Sequence, residues 1–105
     1  MIDRVDVVVE IAGFRHLQDR HDLVREGDAL RLAPEPSNLK DPDAIRFMMA
    51  GHRIGYVNRL QAHTVGMWLG QRTIMCRIAR IHDRLLSRRA YAFLQARPTE
   101  ERIAA

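Results

Sequence analysis

The stretch GDALRLAPEPSNLKDPDAIRFMMAGHRIGYVNR, residues 27–59, decides the fold. It contains two apolar runs, Ala29–Leu32 and Ala44–Met49, and a polar loop with three prolines lies between them. A third short run, Arg53–Val57, follows a break at Ala50–Gly51. Short apolar runs separated by turn residues are typical of antiparallel strands. The stretch therefore predicts a small β unit that displays a structured polar loop.

Three further segments have the β-branched, partly alternating composition of strands. They are Arg4–Ile11, Arg72–Ile81 and Arg88–Gln95. Between the central stretch and the second of these segments, the period changes to that of a helix. Asn58 is the expected N-cap and Gly70 the expected end of this helix. The side of the helix predicted to face the core carries Leu60, Thr64, Met67 and Trp68.

Strands dominate this pattern, so the predicted fold class is mainly β with one or two helices. Two architectures fit: a small, partly open barrel of five to six strands, like the oligonucleotide-binding (OB) fold, and a β-sandwich with the helix over one end. A chain of 105 residues is enough for one domain with a single core. We expect one domain over residues 1–105, with its core at about 4–95 and the fold of the tail 96–105 left open.

The composition limits the class of protein. With 47% hydrophobic and 29% charged residues, the chain matches a globular protein and not a disordered one. No apolar run approaches the ~20 residues of a membrane span, and the N-terminus lacks a basic segment followed by an apolar one. We therefore expect a cytoplasmic protein without a membrane partner. Because Cys76 is the only cysteine, neither an internal disulfide nor a multi-cysteine zinc site is possible.

No catalytic or metal-binding pattern stands out. The five histidines lack the spacing of a metal site, and no nucleophile–base order or phosphate-binding glycine loop is present. We expect no cofactor, no metal and no enzymatic activity. The net charge is +4, and Lys40 is the only lysine. Arginine suits phosphate and also stacks on bases, but many basic proteins bind no particular anion. Charge alone leaves nucleic-acid binding an open question.

Five short motifs, in this order along the chain, resemble the HIRAN domain family. They are Gly13–Arg15, Gly27–Leu32, Glu35–Asn38, Asp41–Ile45 and Ile54–Arg59. The resemblance covers about residues 5–81, which is most of the chain. It implies an OB-like β-barrel. In the helicase-linked members of the family it also implies capture of the 3′ end of single-stranded DNA.

The family motif is roughly Asn-Pro-aromatic-Asp-x-Asn-Ala-Ile, and this chain departs from it at three positions. Its residues 38–45 read NLKDPDAI, so the first asparagine, the acid and the final Ala-Ile are kept. The resemblance implies that the acid, here Asp41, accepts a hydrogen bond from the terminal 3′-hydroxyl. It also implies that Arg15 and Arg59 lie near the phosphates and that the ring of Tyr56 lines the binding groove.

Two positions where the DNA-binding members stack tyrosines on the last bases differ here. His16 and Lys40 stand at those positions. Stacking contributes roughly 1–3 kcal/mol per base, and a lysine side chain supplies none of it. We therefore expect weaker and less end-specific binding than in the helicase-linked members. The predicted nucleic-acid site consists of Arg15, His16, Asn38, Lys40, Asp41, Tyr56 and Arg59.

Alternatives remain at several of these positions. Asp41 is either a ligand for a terminal hydroxyl or the first residue of an Asx turn, and Asn38 has more of the character of a structural residue. Tyr56 either lines a groove or fills the mouth of the barrel. Two functions follow. One is a module that binds single-stranded DNA or DNA ends. The other is a barrel that binds a protein partner and has lost DNA-end capture.

Overall fold

The computed structural model describes residues 4–14, 24–84 and 87–98. Within these ranges the chain forms six strands and one helix. In chain order they are β1 (Val5–Ala12), β2 (Ala29–Pro34), β3 (Ile45–Met49), β4 (His52–Val57), α1 (Arg59–Gln71), β5 (Arg72–Arg84) and β6 (Ser87–Pro98). All the predicted strands are present. The last of them is longer than predicted, because residues 96–98 of the tail also belong to β6.

The six strands form one closed antiparallel barrel in the order β1-β4-β3-β2-β5-β6. This confirms the mainly β class and the OB-like barrel, and the sandwich alternative was wrong. The barrel is closed and not partly open, because β1 divides its pairing between two neighbours. Val5–Glu10 pairs with β6, and the next two residues, Ile11 and Ala12, pair with β4. The two closing contacts are short, since β1 with β4 and β2 with β5 each pair over two residues.

The core lies inside the barrel. It is built from alternate residues along each strand, because every second side chain of a strand points inward. Phe47 on β3 and Leu94 on β6 are completely buried. The other inward positions of β6 carry alanines, at Ala90, Ala92 and Ala96, which are also completely buried. These small residues leave room for the larger side chains of the opposite strands in an interior of limited width.

The helix begins where the sequence predicted, but the predicted face was wrong. Asn58 is the N-cap, and its side-chain oxygen accepts a hydrogen bond of 2.8 Å from the backbone N–H of Leu60. Leu60 itself is 92% exposed, and the buried helix residues are Ala62 and Val65. Small and β-branched side chains let the helix lie close to the barrel, so the larger residues are displaced to its flanks.

The remaining residues of the predicted core face also lie away from the buried side of the helix. Thr64 is exposed, Met67 is half exposed, and Trp68 is only partly buried against the core. Gly70 lies within the helix, which ends at Gln71. The N–H of the extended residue Arg72 donates to the carbonyl of Trp68 and closes the last turn. Within the described ranges, no helix is both long and apolar enough to cross a membrane.

Gly55 is required where β4 approaches β1. A Cβ added at this position would lie 2.6 Å from the carbonyl oxygen of Ala12 and would also meet the side chain of Ile11. Backbone cannot yield as a flexible side chain does, so we expect Gly55→Ala to lower the free energy of unfolding by about 1–3 kcal/mol. Urea denaturation followed by circular dichroism measures this change.

Gly70→Ala is the matched control for this substitution. Nothing lies within 4 Å of a Cβ built at Gly70, and the position is helical. Alanine there should raise the free energy of unfolding by about 0.5–1 kcal/mol. Equal stability of Gly55→Ala and the parent would contradict the close approach of β1 and β4.

Candidate functional site

The polar loop, residues 35–44, connects β2 to β3 and is held by its own backbone. The N–H of Glu35 donates to the carbonyl of Ala44 over 2.8 Å, which closes the base of the loop. Two turns follow inside it: the N–H of Asn38 donates to Glu35 and that of Ala44 donates to Asp41, both over 3.0 Å. The loop therefore presents its side chains in a fixed arrangement.

Asn38 organises the centre of this loop. Its side-chain oxygen accepts hydrogen bonds of 3.0 Å from the backbone N–H groups of Lys40 and Asp41. Its amide nitrogen donates to a carboxylate oxygen of Glu35 over 2.9 Å. Because both ends of the amide are engaged inside the loop, Asn38 shapes the loop. The side chains of Leu39 and Lys40 lie exposed at the tip.

Asp41 combines a turn contact with an accessible oxygen. One carboxylate oxygen accepts a hydrogen bond of 3.0 Å from the N–H of Asp43, which makes an Asx turn. The other oxygen lies 3.9 Å from Nε of Arg59 at the start of α1. The carboxylate side chain is 25% exposed and the Arg59 side chain 76% exposed. The turn thus fixes the carboxylate, and its second oxygen remains beyond hydrogen-bond distance of Arg59, where it can accept from another donor.

A second cluster gathers around Glu35 on the outer surface of the barrel. The hydroxyl of Tyr56 lies 3.2 and 3.3 Å from the two oxygens of Glu35. Arg53 donates to that hydroxyl over 3.0 Å, and its guanidinium carbon lies 5.3 Å from the centre of the tyrosine ring. Nε of Arg46 lies 3.3 Å from Glu35, as an ion pair whose geometry is not that of a hydrogen bond. The ring of Tyr56 is therefore held on the outer surface and does not fill the core.

Sequence reasoning missed Glu35, Arg46 and Arg53 as members of the site. They meet because Arg46 and Tyr56 are directly opposite each other on β3 and β4, so that their side chains leave the sheet on the same face. One feature of the sequence could have indicated that Arg46 lies on the outer surface. Arg46 stands between two apolar residues, Ile45 and Phe47, and both of these are buried. A charged residue between two core residues of a strand points outward.

The structure brings together the predicted site residues that it describes. We call Asn38, Lys40, Asp41, Tyr56 and Arg59 the end site; Glu35 links Asn38 to Tyr56, and Asp41 links the loop to Arg59. The predicted residues Arg15 and His16 lie outside the described residues. Beside the end site, Arg31 and Arg53 flank Met48 in one row across β2, β3 and β4. Arg53 also contacts the hydroxyl and the ring of Tyr56.

Cys76 has no part in this site. It lies on β5, opposite Leu94 of β6, among the residues that pack against the core. Burial raises the pKa of its thiol to about 12. The reactive thiolate is therefore not available near neutral pH, and Cys76 packs as a small apolar residue.

Comparison with known proteins gives a family match for the sequence and two likenesses for the fold. The family model described as the HIRAN domain matches residues 5–89. The crystal structure of the HIRAN domain of human HLTF has a TM-score of 0.72 at 16% sequence identity, with 94% of this chain and 83% of that chain covered. A crystal structure of a protein from Lactobacillus plantarum has a TM-score of 0.66 at 20% identity, with 89% of this chain and 98% of that chain covered.

These two likenesses establish the fold, and a search of curated protein sequences found no significant match. The family match is carried by the sequence itself and covers most of the chain, including β1, the polar loop and α1. The chain therefore belongs to the HIRAN domain family.

Proposed function

We propose that this domain binds single-stranded nucleic acid and that a DNA strand with a free 3′-hydroxyl is its preferred ligand. Membership of the HIRAN family supports a nucleic-acid-binding module. The preference for a free 3′-hydroxyl is supported by the arrangement of the two carboxylate oxygens of Asp41. One of its oxygens is fixed in a turn, and the other stands open 3.9 Å from Arg59.

A carboxylate on a basic surface restricts which group of a nucleic acid can bind beside it. It repels phosphate, so it contributes to binding where the ligand offers a proton-bearing group instead. The terminal 3′-hydroxyl is such a group, and it donates to the open oxygen of Asp41. A hydrogen bond to a charged group contributes about 1.5–3 kcal/mol, and the partial exposure of Asp41 places it at the low end.

The rest of the end site positions the strand. Arg59 is exposed beside Asp41 and binds the last phosphate, while Lys40 at the loop tip supplies a second, flexible cation. The ring of Tyr56, fixed through its hydroxyl by Glu35 and Arg53, offers a surface for a base. Arg15 and His16, carried over from the family resemblance, complete the proposed contacts with a phosphate and a base.

Fluorescence polarisation with matched single-stranded oligonucleotides tests this proposal. One oligonucleotide ends in a free 3′-hydroxyl and the other in a 3′-phosphate. We expect the free end to bind about 10-fold more tightly, which corresponds to about 1.4 kcal/mol. Equal affinity for the two ends would remove end capture and leave only a phosphate-binding surface.

A second candidate function, a barrel that binds a protein partner, is favoured by apolar side chains beside the end site. Leu39 is fully exposed at the loop tip, and Leu60 is 92% exposed in the first turn of α1. Leu39 is two residues from Asp41 and Leu60 follows Arg59, so both leucines are available to a partner that covers the Asp41–Arg59 pair. Absence of binding to any oligonucleotide at low salt, where phosphate contacts are strongest, would favour this function over the first.

A further inference from the structure

The outer surface of β1, β6 and β5 carries side chains that the end site does not use. Strand register sets Val8, Phe93 and Arg77 side by side in one row, and Glu10, Tyr91 and Arg80 in the next. A third row contains Asp6, Gln95 and Met75. We call the surface formed by Val8, Met75, Arg77, Arg80, His82, Tyr91 and Phe93 the β5–β6 face.

Two apolar side chains of this face are open to solvent, and its aromatic rings are partly buried. Val8 is 55% exposed and Met75 57% exposed. The rings of His82 and Tyr91 are 5.8 Å apart at an angle of 70°, so they form two walls of a corner. That corner is part of a hollow of about 390 Å³, which is lined by Val8, Ala79, Arg80, His82 and Tyr91. A hollow with flat walls and this volume accommodates a planar ring such as a nucleobase.

The face also carries positive charge that the described residues do not neutralise. Glu10 and Asp6 are already paired, with Arg89 at 3.9 Å and with Arg4 at 3.3 Å. Among the described side chains, no carboxylate lies within ion-pair distance of Arg77 or Arg80. The guanidinium of Arg77 rests 4.7 Å from the centre of the Phe93 ring. β5 contains four arginines and β6 three, against one aspartate and no lysine.

We propose that the β5–β6 face is a second binding surface for single-stranded nucleic acid, one that takes internal nucleotides instead of the 3′ end. A base enters the hollow and stacks on Tyr91 or His82, while the adjoining phosphates bind Arg77 and Arg80. Repeated arginines beside flat rings match a polymer that repeats a phosphate and a base. An acidic protein segment would satisfy the charges, but it would leave the flat-walled hollow without a matching group.

The position of β1 connects this surface to the end site. Ala12 of β1 lies opposite Tyr56, and Glu10, two residues earlier on the same outer side, lies opposite Tyr91. The two tyrosines are therefore separated by two strand spacings of about 4.8 Å each and a shift of about two residues. One strand of nucleic acid can reach from one surface to the other. The inference rests on the proposed function only for the class of ligand.

Titration with oligonucleotides of two lengths tests the second surface. The short one is a dinucleotide with a free 3′-hydroxyl, which is too short to occupy both surfaces at once, and the long one has about 16 nucleotides and a 3′-phosphate. We expect the double variant Arg77→Ala/Arg80→Ala to bind the long strand about 25-fold more weakly at 0.1 M salt, with a salt slope lower by about 1.4. Binding of the short strand should not change. Both side chains are exposed, so the melting temperature should stay that of the parent.

The charge-conserving variant Arg77→Lys/Arg80→Lys is the matched control, and it should keep most of the salt slope. A long strand with 5-iodouracil should form photocrosslinks to the peptide that contains Tyr91 or His82, as mass spectrometry will show. Unchanged binding of the long strand by the alanine variant, with no crosslink on β5 or β6, would overturn this inference and assign the face to a protein partner. Failure of end capture has a different signature, which is equal affinity of the parent for free and blocked ends.

Discussion

Phe47→Ala should lower the free energy of unfolding by about 3–5 kcal/mol. Phe47 is completely buried on β3, between Leu32 of β2 and Gly55 of β4. Removal of its ring leaves a cavity that the barrel cannot fill by collapse, because all the strands are hydrogen-bonded around it. Urea denaturation monitored by circular dichroism should show a lower midpoint with an unchanged slope.

Leu60→Ala is the informative control for this prediction. Leu60 is apolar and lies on the helix stripe that the sequence assigned to the core, yet it is 92% exposed. Its truncation should change stability by no more than about 0.5 kcal/mol. Trp68→Ala should fall between the two, since Trp68 is only partly buried. A loss at Leu60 as large as that at Phe47 would show that α1 packs through the predicted face after all.

The sequence predicted each strand because local composition decides whether a segment is extended. It also predicted the start of α1, since the cap is made within three residues by Asn58 and Leu60. The sequence did not predict the buried face of α1 correctly. Size alone favoured Met67 and Trp68 over Ala62 and Val65, but the distance between helix and barrel decides which residues fit. Closure of the barrel through β1 depends in the same way on long-range register.

In the end site, too, the contacts between residues close in the sequence were predictable and the long-range contacts were not. Asn38 and Asp41 make hydrogen bonds to residues two and three positions away, and asparagine and aspartate before a proline-containing turn predict such contacts. Glu35 and Tyr56 are 21 residues apart and meet only through the pairing of β3 with β4 and the turn after β2. No local pattern in the sequence predicts that pairing. The cluster around Glu35 could therefore be identified only from the structure.

Asp41→Asn should lower the affinity for a free 3′-hydroxyl end by about 10-fold, the low end of the value of a hydrogen bond to a charged acceptor. Affinity for a 3′-phosphorylated strand should stay equal or rise, since one negative charge is removed beside the phosphate. The amide oxygen of asparagine can still accept from the N–H of Asp43, so the turn is kept. The atom that then faces the ligand is an NH₂ group, which donates and cannot accept the hydroxyl proton.

Asp43→Asn is the matched control, because it removes the same charge two residues away and leaves both oxygens of Asp41 in place. It should strengthen binding of both strands alike by the general electrostatic effect. Polarisation titrations of the parent and both variants, with melting temperatures alongside, separate the two roles of Asp41. If Asp41 served only to pin the loop, Asp41→Asn would keep the turn, and the affinities for both strands and the melting temperature would stay near those of the parent. Selective loss for the free end, at an unchanged melting temperature, identifies the open oxygen as the acceptor for the terminal hydroxyl.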